Sequence, residues 1–329
     1  MKVAIDVGNG YVKTVNEHGD KLHFPTVLKT KSEKALFNGK VKYTLKLGEK
    51  EYYVGDMAIS KKGIRRWSND KAMNEDTEKY AALCCHLLTA SDESVIDPLI
   101  LGLPYSFFVE QVDDPALTAG LQGKTLKTTL DGETKSLLIK SVKVFPQGVG
   151  AYFHNILNID GNPKENASEL MRALIICVGY RTVEVVAFDN INGEFVLVQE
   201  DSFTLEESGM INIVTHIVNV LSNDVQFDPN EIERWLRTEK GKVQYGGAEY
   251  DVSQYQTEAA KDLADTIVTA INAKLHGAVK KYNNIFVTGG GAEMLYPFIK
   301  LKYPNLRLQD DYIFANAEGY LAIASAQEK

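Results

Sequence analysis

Cysteine is scarce in this chain: three among 329 residues, two of them the neighbours Cys84 and Cys85. That excludes a disulfide framework and a paired C-x-x-C metal motif, and it makes a reducing cytoplasm the simplest setting. The six histidines (His18, His23, His86, His154, His216 and His276) are scattered, with no H-E-x-x-H or related metal spacing. Only two tryptophans occur, and with the 16 tyrosines they form no regular stripe suited to base stacking. Trp67, beside Arg65 and Arg66, is a candidate protein contact. No apolar run approaches the ~20 residues that span a bilayer. The apolar N-terminal strand is interrupted by Asp6, which argues against a signal peptide. Low-complexity tracts, a Gly-Lys-Ser/Thr phosphate loop and a G-x-G-x-x-G fingerprint are all missing.

What is present is a soluble globular composition, 44% hydrophobic and 24% charged, long enough for two cores. The net charge of -8 is uneven. Residues 1–70 hold 14 basic against 8 acidic side chains, and the remainder holds 22 against 36. A basic segment on an acidic body suits DNA, the acidic surface of a second copy, or simply a solvated lysine face. The lysines from Lys29 to Lys50 lie among apolar residues without arginine–aromatic pairs, so direct nucleic-acid binding is not expected.

The pattern predicts strands near 2–7, 10–16 and 20–28, a hairpin at 43–54, a helix at 74–90 capped by Asn74, a strand at 98–103, and a hairpin about Asp131-Gly132. A helix is expected from Pro146 to about Asn158. The breaker-rich stretch 159–169 makes the best domain boundary. The second half predicts strands at 171–178, 182–189 and 194–201, the last two joined by Asn192-Gly193. Helices follow at 207–222, 229–238 and 254–281, then a strand at 284–288, a further helix, and a closing helix near 315–327. Hairpin strands followed by helices, twice over, read as a mixed-sheet α/β protein in two domains.

The richest signal is an echo. Ile5-Asp6-Val7-Gly8-Asn9-Gly10-Tyr11-Val12-Lys13 returns 171 residues later as Ile176-Cys177-Val178-Gly179-Tyr180-Arg181-Thr182-Val183-Glu184, with four of nine positions identical. Each copy reads as strand, glycine turn and strand. Glycine lets backbone N–H groups approach an anion with no Cβ in the way. In the first copy, Lys13 adds a point charge and Asp6 can hold water on a divalent cation. Taken alone, Gly8 and Gly10 also suit an ordinary tight hairpin. Gly289-Gly290-Gly291, between a strand and a helix, exposes amides at a helix N-terminus and costs too much chain entropy for a plain turn. Gln147, in Phe145-Pro146-Gln147-Gly148, is suited to orienting an attacking water or to meeting solvent at a helix start.

These segments, in this order and spacing, resemble the actin/Hsp70/sugar-kinase ATPase superfamily. The set comprises a first phosphate loop (Asp6 to Lys13), a connecting helix (Pro146 to Asn158), a second phosphate loop (Cys177 to Glu184), an adenosine motif (Val287 to Leu295) and a second connecting helix (Ala315 to Ala324). Within it, Tyr53-Val54-Gly55-Asp56-Met57-Ala58, Gly102-Leu103-Pro104, Gly179-Tyr180-Arg181-Thr182 and Ala315-Asn316-Ala317-Glu318-Gly319-Tyr320 resemble plasmid-segregation actins of the ParM/StbA type.

The resemblance implies two actin-type (ribonuclease H-like) domains. The first is 1–158 completed by the helix at 315–329, the second is 159–314, and a nucleotide cleft lies between them. It implies ATP or GTP with Mg²⁺. Asp6 would organise metal-bound water and Gln147 the hydrolytic water. Gly8, Asn9, Gly10, Tyr11, Lys13, Gly179, Tyr180, Arg181, Thr182, Glu207, Gly289, Gly290 and Gly291 would bind nucleotide. It implies a bacterial cytoplasmic filament of the protein with itself, moving plasmid DNA through a separate DNA-binding adaptor, with no membrane contact.

Two positions depart from the pattern. Cys177 stands where a second acidic residue is usual, and Glu184 where Asp or His is commoner. A thiol is a poor partner for a hard cation, so hydrolysis is slow or the metal is held through Asp6. Otherwise Cys177 is a small buried hydrophobe and another group substitutes. A small-molecule kinase on this fold would need a general base, and no motif places one. A chaperone-like switch would need a peptide-binding domain, whereas this chain ends five residues after Ala324. A cell-shape filament would need a membrane-binding amphipathic segment, which neither end shows.

Overall fold

The computed structural model describes all residues except 32–43, 66–74, 112–115, 166, 171, 192–193, 223–226, 240 and 246. Asn74, Arg66, Trp67 and the Asn192-Gly193 turn therefore lie outside the described residues. The chain divides into two compact units, Met1–Leu170 with Ile313–Lys329, and Met171–Tyr312.

The first unit is built on a five-stranded sheet. Its strands are β1 (Val3–Val7), β2 (Tyr11–Asn16), β3 (Lys21–Pro25), β4 (Leu99–Leu103) and β5 (Val142–Pro146), in the order β5–β4–β1–β2–β3. β1, β2 and β3 form an antiparallel meander, while β4 runs parallel to both β1 and β5. Alternation divides the side chains between two layers. Val3, Ile5 and Val12 pack with Tyr80, Ala81, Cys84 and Cys85 of the Glu75–Leu88 helix. Ala4, Val15 and Ile100 pack beneath Ala317, Tyr320, Leu321 and Ala324 of the C-terminal helix, Ala315–Ala326. Burial on both faces explains why β1 reads as a continuous apolar run broken only by Asp6.

The C-terminal helix crosses the Val149–Ile156 helix at bare backbone. A Cβ on Gly319 would lie 1.7 Å from the Gly150 carbonyl oxygen, and one on Gly150 would lie 2.4 Å from that of Asn316. The Asn316 side chain also caps the shorter helix, its Oδ1 accepting from Gly148 N–H at 2.9 Å and Ala151 N–H at 3.1 Å. Among the described residues, a second sheet of seven strands also belongs to this unit; its members include Ile64–Arg65, Val27–Thr30 and Lys50–Val54. The strand expected at 20–28 divides at Thr26. There the chain leaves β3 and enters the second sheet, and Thr26 N–H turns to the Gly10 carbonyl at 2.9 Å.

The two compact units divide after Leu170. Residues 159–170 stay with the first unit because their backbone folds onto it. Leu157 bridges Pro163, Lys164 N–H reaches the Ile156 carbonyl, and Gly161 (φ +81°) sits against the Ala326 backbone where a Cβ would come within 2.4 Å.

The second unit repeats the plan. β6 (Ala173–Val178) pairs antiparallel with β7 (Val183–Ile191) and parallel with β8 (Asn284–Thr288). Leu306–Leu308 extends the sheet beyond β8, and Glu194–Leu197 and Phe203–Leu205 pair with β7. Leu174, Ile176, Val178, Val183, Val185 and Ala187 form one core with Ile213, Val214 and Ile217 of the Ile211–Leu221 helix and with the long Ser253–Lys274 helix. By register, Cys177, Glu184 and Thr288 are cross-strand neighbours on the opposite face of the sheet.

Three helix limits differ from the sequence expectation. Pro146 is the last residue of β5, and the helix waits until Val149 because Gly148 takes φ +82°. The helix expected from 207 starts at Ile211, since Glu207 adopts φ +52°. The helix expected to 281 stops at Lys274, where His276 and Gly277 turn left-handed and a 3-10 turn follows. The Tyr105–Gln111 helix and the Lys242–Tyr245/Ala248–Asp251 hairpin were not anticipated, being short and weakly patterned.

Candidate functional site: two amide-presenting turns

In the first unit, Asp6 sits near the end of β1 and Lys13 is its register partner on β2. Asp6 is only 3% exposed and Lys13 8%. Lys13 Nζ lies 3.3 Å from Asp6 Oδ2, and Gln147 Nε2 donates to Asp6 Oδ1 at 2.6 Å. Gln147 is held in turn by its own N–H, which continues the β4–β5 ladder to the Leu103 carbonyl at 2.6 Å. It occupies the bend before the helix, not the helix itself. With its Nε2 engaged by the carboxylate, the acceptor oxygen of Gln147 is the atom left to receive a proton donor such as water.

Gly8, Asn9 and Gly10 form the turn between β1 and β2, and Tyr11 opens β2. Gly8 N–H bonds to the Tyr11 carbonyl at 3.1 Å. The Gly8 carbonyl accepts from Thr26 Oγ1 at 2.7 Å. The Gly10 carbonyl accepts from Thr26 N–H and from Arg65 Nη1 at 2.5 Å. In a trans peptide, C=O and the following N–H point opposite ways. Drawing the Gly8 and Gly10 carbonyls inward therefore turns the N–H groups of Asn9 and Tyr11 outward.

The second unit achieves the same result with different parts. Gly179 N–H closes the β6–β7 turn on the Thr182 carbonyl at 2.9 Å. The Gly179, Tyr180 and Arg181 carbonyls accept from Met210, Ile211 and Gly209 N–H at 3.1, 2.8 and 3.0 Å. Three successive peptides thus present the N–H groups of Tyr180, Arg181 and Thr182 on the far side, a donor set suited to an anion. The approach requires glycine: a Cβ on Gly209 would lie 2.4 Å from the Tyr180 carbonyl oxygen. The left-handed Glu207 shapes this approach, and its exposed side chain meets Arg181 Nη2 at 3.4 Å.

Gly289, Gly290 and Gly291 link β8 to the Ala292–Lys302 helix. Gly289 takes φ +88° and packs on the Val178 backbone, while a Cβ on Gly291 would strike Met210 Sδ and Val178 Cγ1 at 2.5 Å. Gly290 is exposed, with open space where its side chain would be. The two glycine turns of this unit therefore meet at the C-terminal ends of the parallel strands β6 and β8, where open α/β sheets bind ligands.

Beneath them, Cys177 is buried, as is Glu184, whose Oε2 accepts from Thr204 Oγ1 at 2.5 Å. Among the described residues, no group of three His, Cys, Asp or Glu side chains is placed to hold a metal. Sequence reasoning missed Thr26, Arg65 and Met210. Only Gly209 carried a signal, in the run Glu206-Glu207-Ser208-Gly209 before an apolar helix. Arg65, noted in the sequence only as a neighbour of Trp67, is 1% exposed.

A model of the N-terminal domain of actin-like proteins matches residues 4–150, and one of the C-terminal domain of archaeal MreB-like actin homologues matches residues 175–300. No curated protein matches the sequence. Among solved structures, a non-polymerisable quadruple mutant of pCBH ParM is 26% identical, with a TM-score of 0.80 over 98% of each chain. A 15-stranded ParM filament from Clostridium botulinum is 25% identical, with a TM-score of 0.80 over 99% of each chain. The archaeal actin homologue Ta0583, in complex with ADP, is 20% identical, with a TM-score of 0.77 over 98% of each chain, and shares the fold.

Proposed function

We propose that this chain, whose halves carry an actin-like N-terminal and an MreB-like C-terminal domain, hydrolyses a nucleoside triphosphate and polymerises with it. The observation that carries the reading is the pair of turns whose carbonyls are drawn inward by internal donors, so that their amides face a ligand. The outward N–H groups of each turn suit the oxygens of a polyphosphate. Lys13 supplies a point charge, and Gln147, fixed by Asp6, receives one O–H of the attacking water. Gly289, Gly290 and Gly291 border the nucleoside, with Glu207 and Arg181 at its edge.

Magnesium fits this donor set only as a water-coordinated ion held chiefly by phosphate oxygens, since one buried carboxylate is no protein cage. When bound, it would neutralise charge on the phosphates. The nucleotide is ATP or GTP. The likeness to ParM structures supports assembly of the chain with itself, and, more distantly, plasmid segregation through a DNA-binding adaptor.

Light scattering and phosphate release with ATP, GTP and a non-hydrolysable analogue test this, followed by pelleting and electron microscopy. We expect nucleotide-dependent filaments that disassemble as phosphate is released. Absence of assembly under every condition refutes the filament, and absence of nucleotide binding refutes the site. Plasmid loss on deletion of the gene, restored by the gene alone, tests the segregation role.

A further inference from the structure

We propose that Arg65 is a positioning residue for the first turn, fixing its outward amides and placing a permanent positive charge behind the phosphate oxygens. This rests on the reading of Gly8–Tyr11 as a phosphate turn. Arg65 is the largest fully buried side chain described, and burying a guanidinium is costly unless it serves a partner. Its Nη1 donates to the Gly10 carbonyl at 2.5 Å, and its guanidinium carbon lies 5.7 Å from the centroid of the Tyr11 ring. These two contacts fall on the turn, from 55 residues away in sequence.

The local fold is arranged to bring this side chain in. Ile64–Arg65 pairs with Val27–Thr30, with Arg65 opposite Val27. That strand begins one residue after Thr26, which grips the same turn at the Gly8 and Gly10 carbonyls. Gly63 permits the close approach: a Cβ there would lie 2.7 Å from the Ala58 carbonyl and 2.9 Å from Val27 Cγ1. Two donors on the Gly10 carbonyl hold the Gly10–Tyr11 peptide plane, so the Tyr11 N–H cannot swing away from a ligand. A charged donor makes the stronger of the two bonds. The planar fork spans carbonyl and ring together, which a lysine ammonium does not do.

The test is calorimetric titration of the full chain with ATP and with AMP, each with magnesium, for the natural protein, Arg65→Met and Arg65→Gln. Met fills the space without charge or donor; Gln keeps a donor for Gly10 without charge. We expect Arg65→Met to weaken ATP at least about tenfold and Arg65→Gln somewhat less. AMP affinity should stay within about twofold in both. The melting temperature of each variant, read beside the titrations, separates loss of fold from loss of phosphate binding. Equal losses for ATP and AMP would show a general structural defect and overturn the proposal, as would unchanged ATP affinity. If Arg65→Met does not fold, the ATP-to-AMP contrast in Arg65→Gln decides alone. A natural protein that binds no nucleotide fails the phosphate-turn reading itself; binding that both variants retain fails only Arg65.

Discussion

Replacing Gly209 by alanine probes the second turn most directly. The added Cβ would lie 2.4 Å from the Tyr180 carbonyl oxygen, 2.5 Å from the Tyr180 carbonyl carbon and 2.6 Å from that of Arg181. All three are backbone atoms, so no rotamer relieves the clash, and the segment before the Ile211–Leu221 helix must lift away. Lifting breaks the bonds from Gly209, Met210 and Ile211 N–H to the carbonyls of residues 179–181. At about 1 kcal/mol net each, their loss costs about 3 kcal/mol. The alanine returns about 0.5–1 kcal/mol by restricting the unfolded chain. The expected net destabilisation is about 2 kcal/mol, read as a lower urea midpoint at constant slope. With their carbonyls released, the peptides of the turn can rotate, and ATP affinity should fall about tenfold or more. Gly290→Ala, where space is open and φ is not positive, should change stability by less than about 0.5 kcal/mol. A Gly209→Ala protein as stable as its parent, with ATP affinity intact, would refute the idea that residues 209–211 set the orientation of this turn.

Three further outcomes are expected. Gln147→Ala removes the donor to Asp6 Oδ1 and the proposed water acceptor; single-turnover hydrolysis should slow about a hundredfold while ATP affinity changes little, and an unchanged rate discards its catalytic role. Cys177→Asp supplies the carboxylate usual at that position and should speed phosphate release, at some cost in stability because Glu184 lies directly across the sheet. An unaltered rate would make Cys177 a packing residue only. His86 is buried on Thr128, and burial, reinforced by Lys135, holds its pKa below the ordinary 6.5. The unfolded chain then binds the extra proton first, so this stability is full above about pH 6.5 and is lost as pH falls from there through the lowered pKa of the folded state. Denaturation midpoints from about pH 5 to about pH 8 should show that slope, and His86→Leu should flatten it.

Much of this was legible before any coordinates. The β1–β2 and β6–β7 hairpins declared themselves by glycine punctuation inside apolar strands. Asp6 stood out as the single charge in an otherwise buried run. The inward partners of the turns could not be read. Thr26 belongs to a strand that looked continuous from 20 to 28, and its division is a tertiary event. Arg65 reaches the turn across two sheets of the same unit, a contact with no periodicity to betray it. Helix starts were misplaced wherever a left-handed residue intervened, at Gly148 and Glu207, because propensity reports the residue type and not the φ that packing imposes on it. The 159–169 segment looked like a linker by composition, yet Gly161 and Lys164 N–H bond back to the Asn158 and Ile156 carbonyls of the first unit.

The first unit is discontinuous in sequence, and this orders events during synthesis. Met171–Tyr312 is one uninterrupted stretch, so it can close on itself as it leaves the ribosome. The first unit cannot finish at that point. Until Ile313–Lys329 emerges, Ala4, Val15 and Ile100 lack their cover, and the Val149–Ile156 helix lacks its Asn316 cap. A chain stalled before Ile313 would therefore hold a closed second half and a first half with an open apolar face, the species that chaperones must shield. The segment made after the second unit acts as the latch on the unit begun before it.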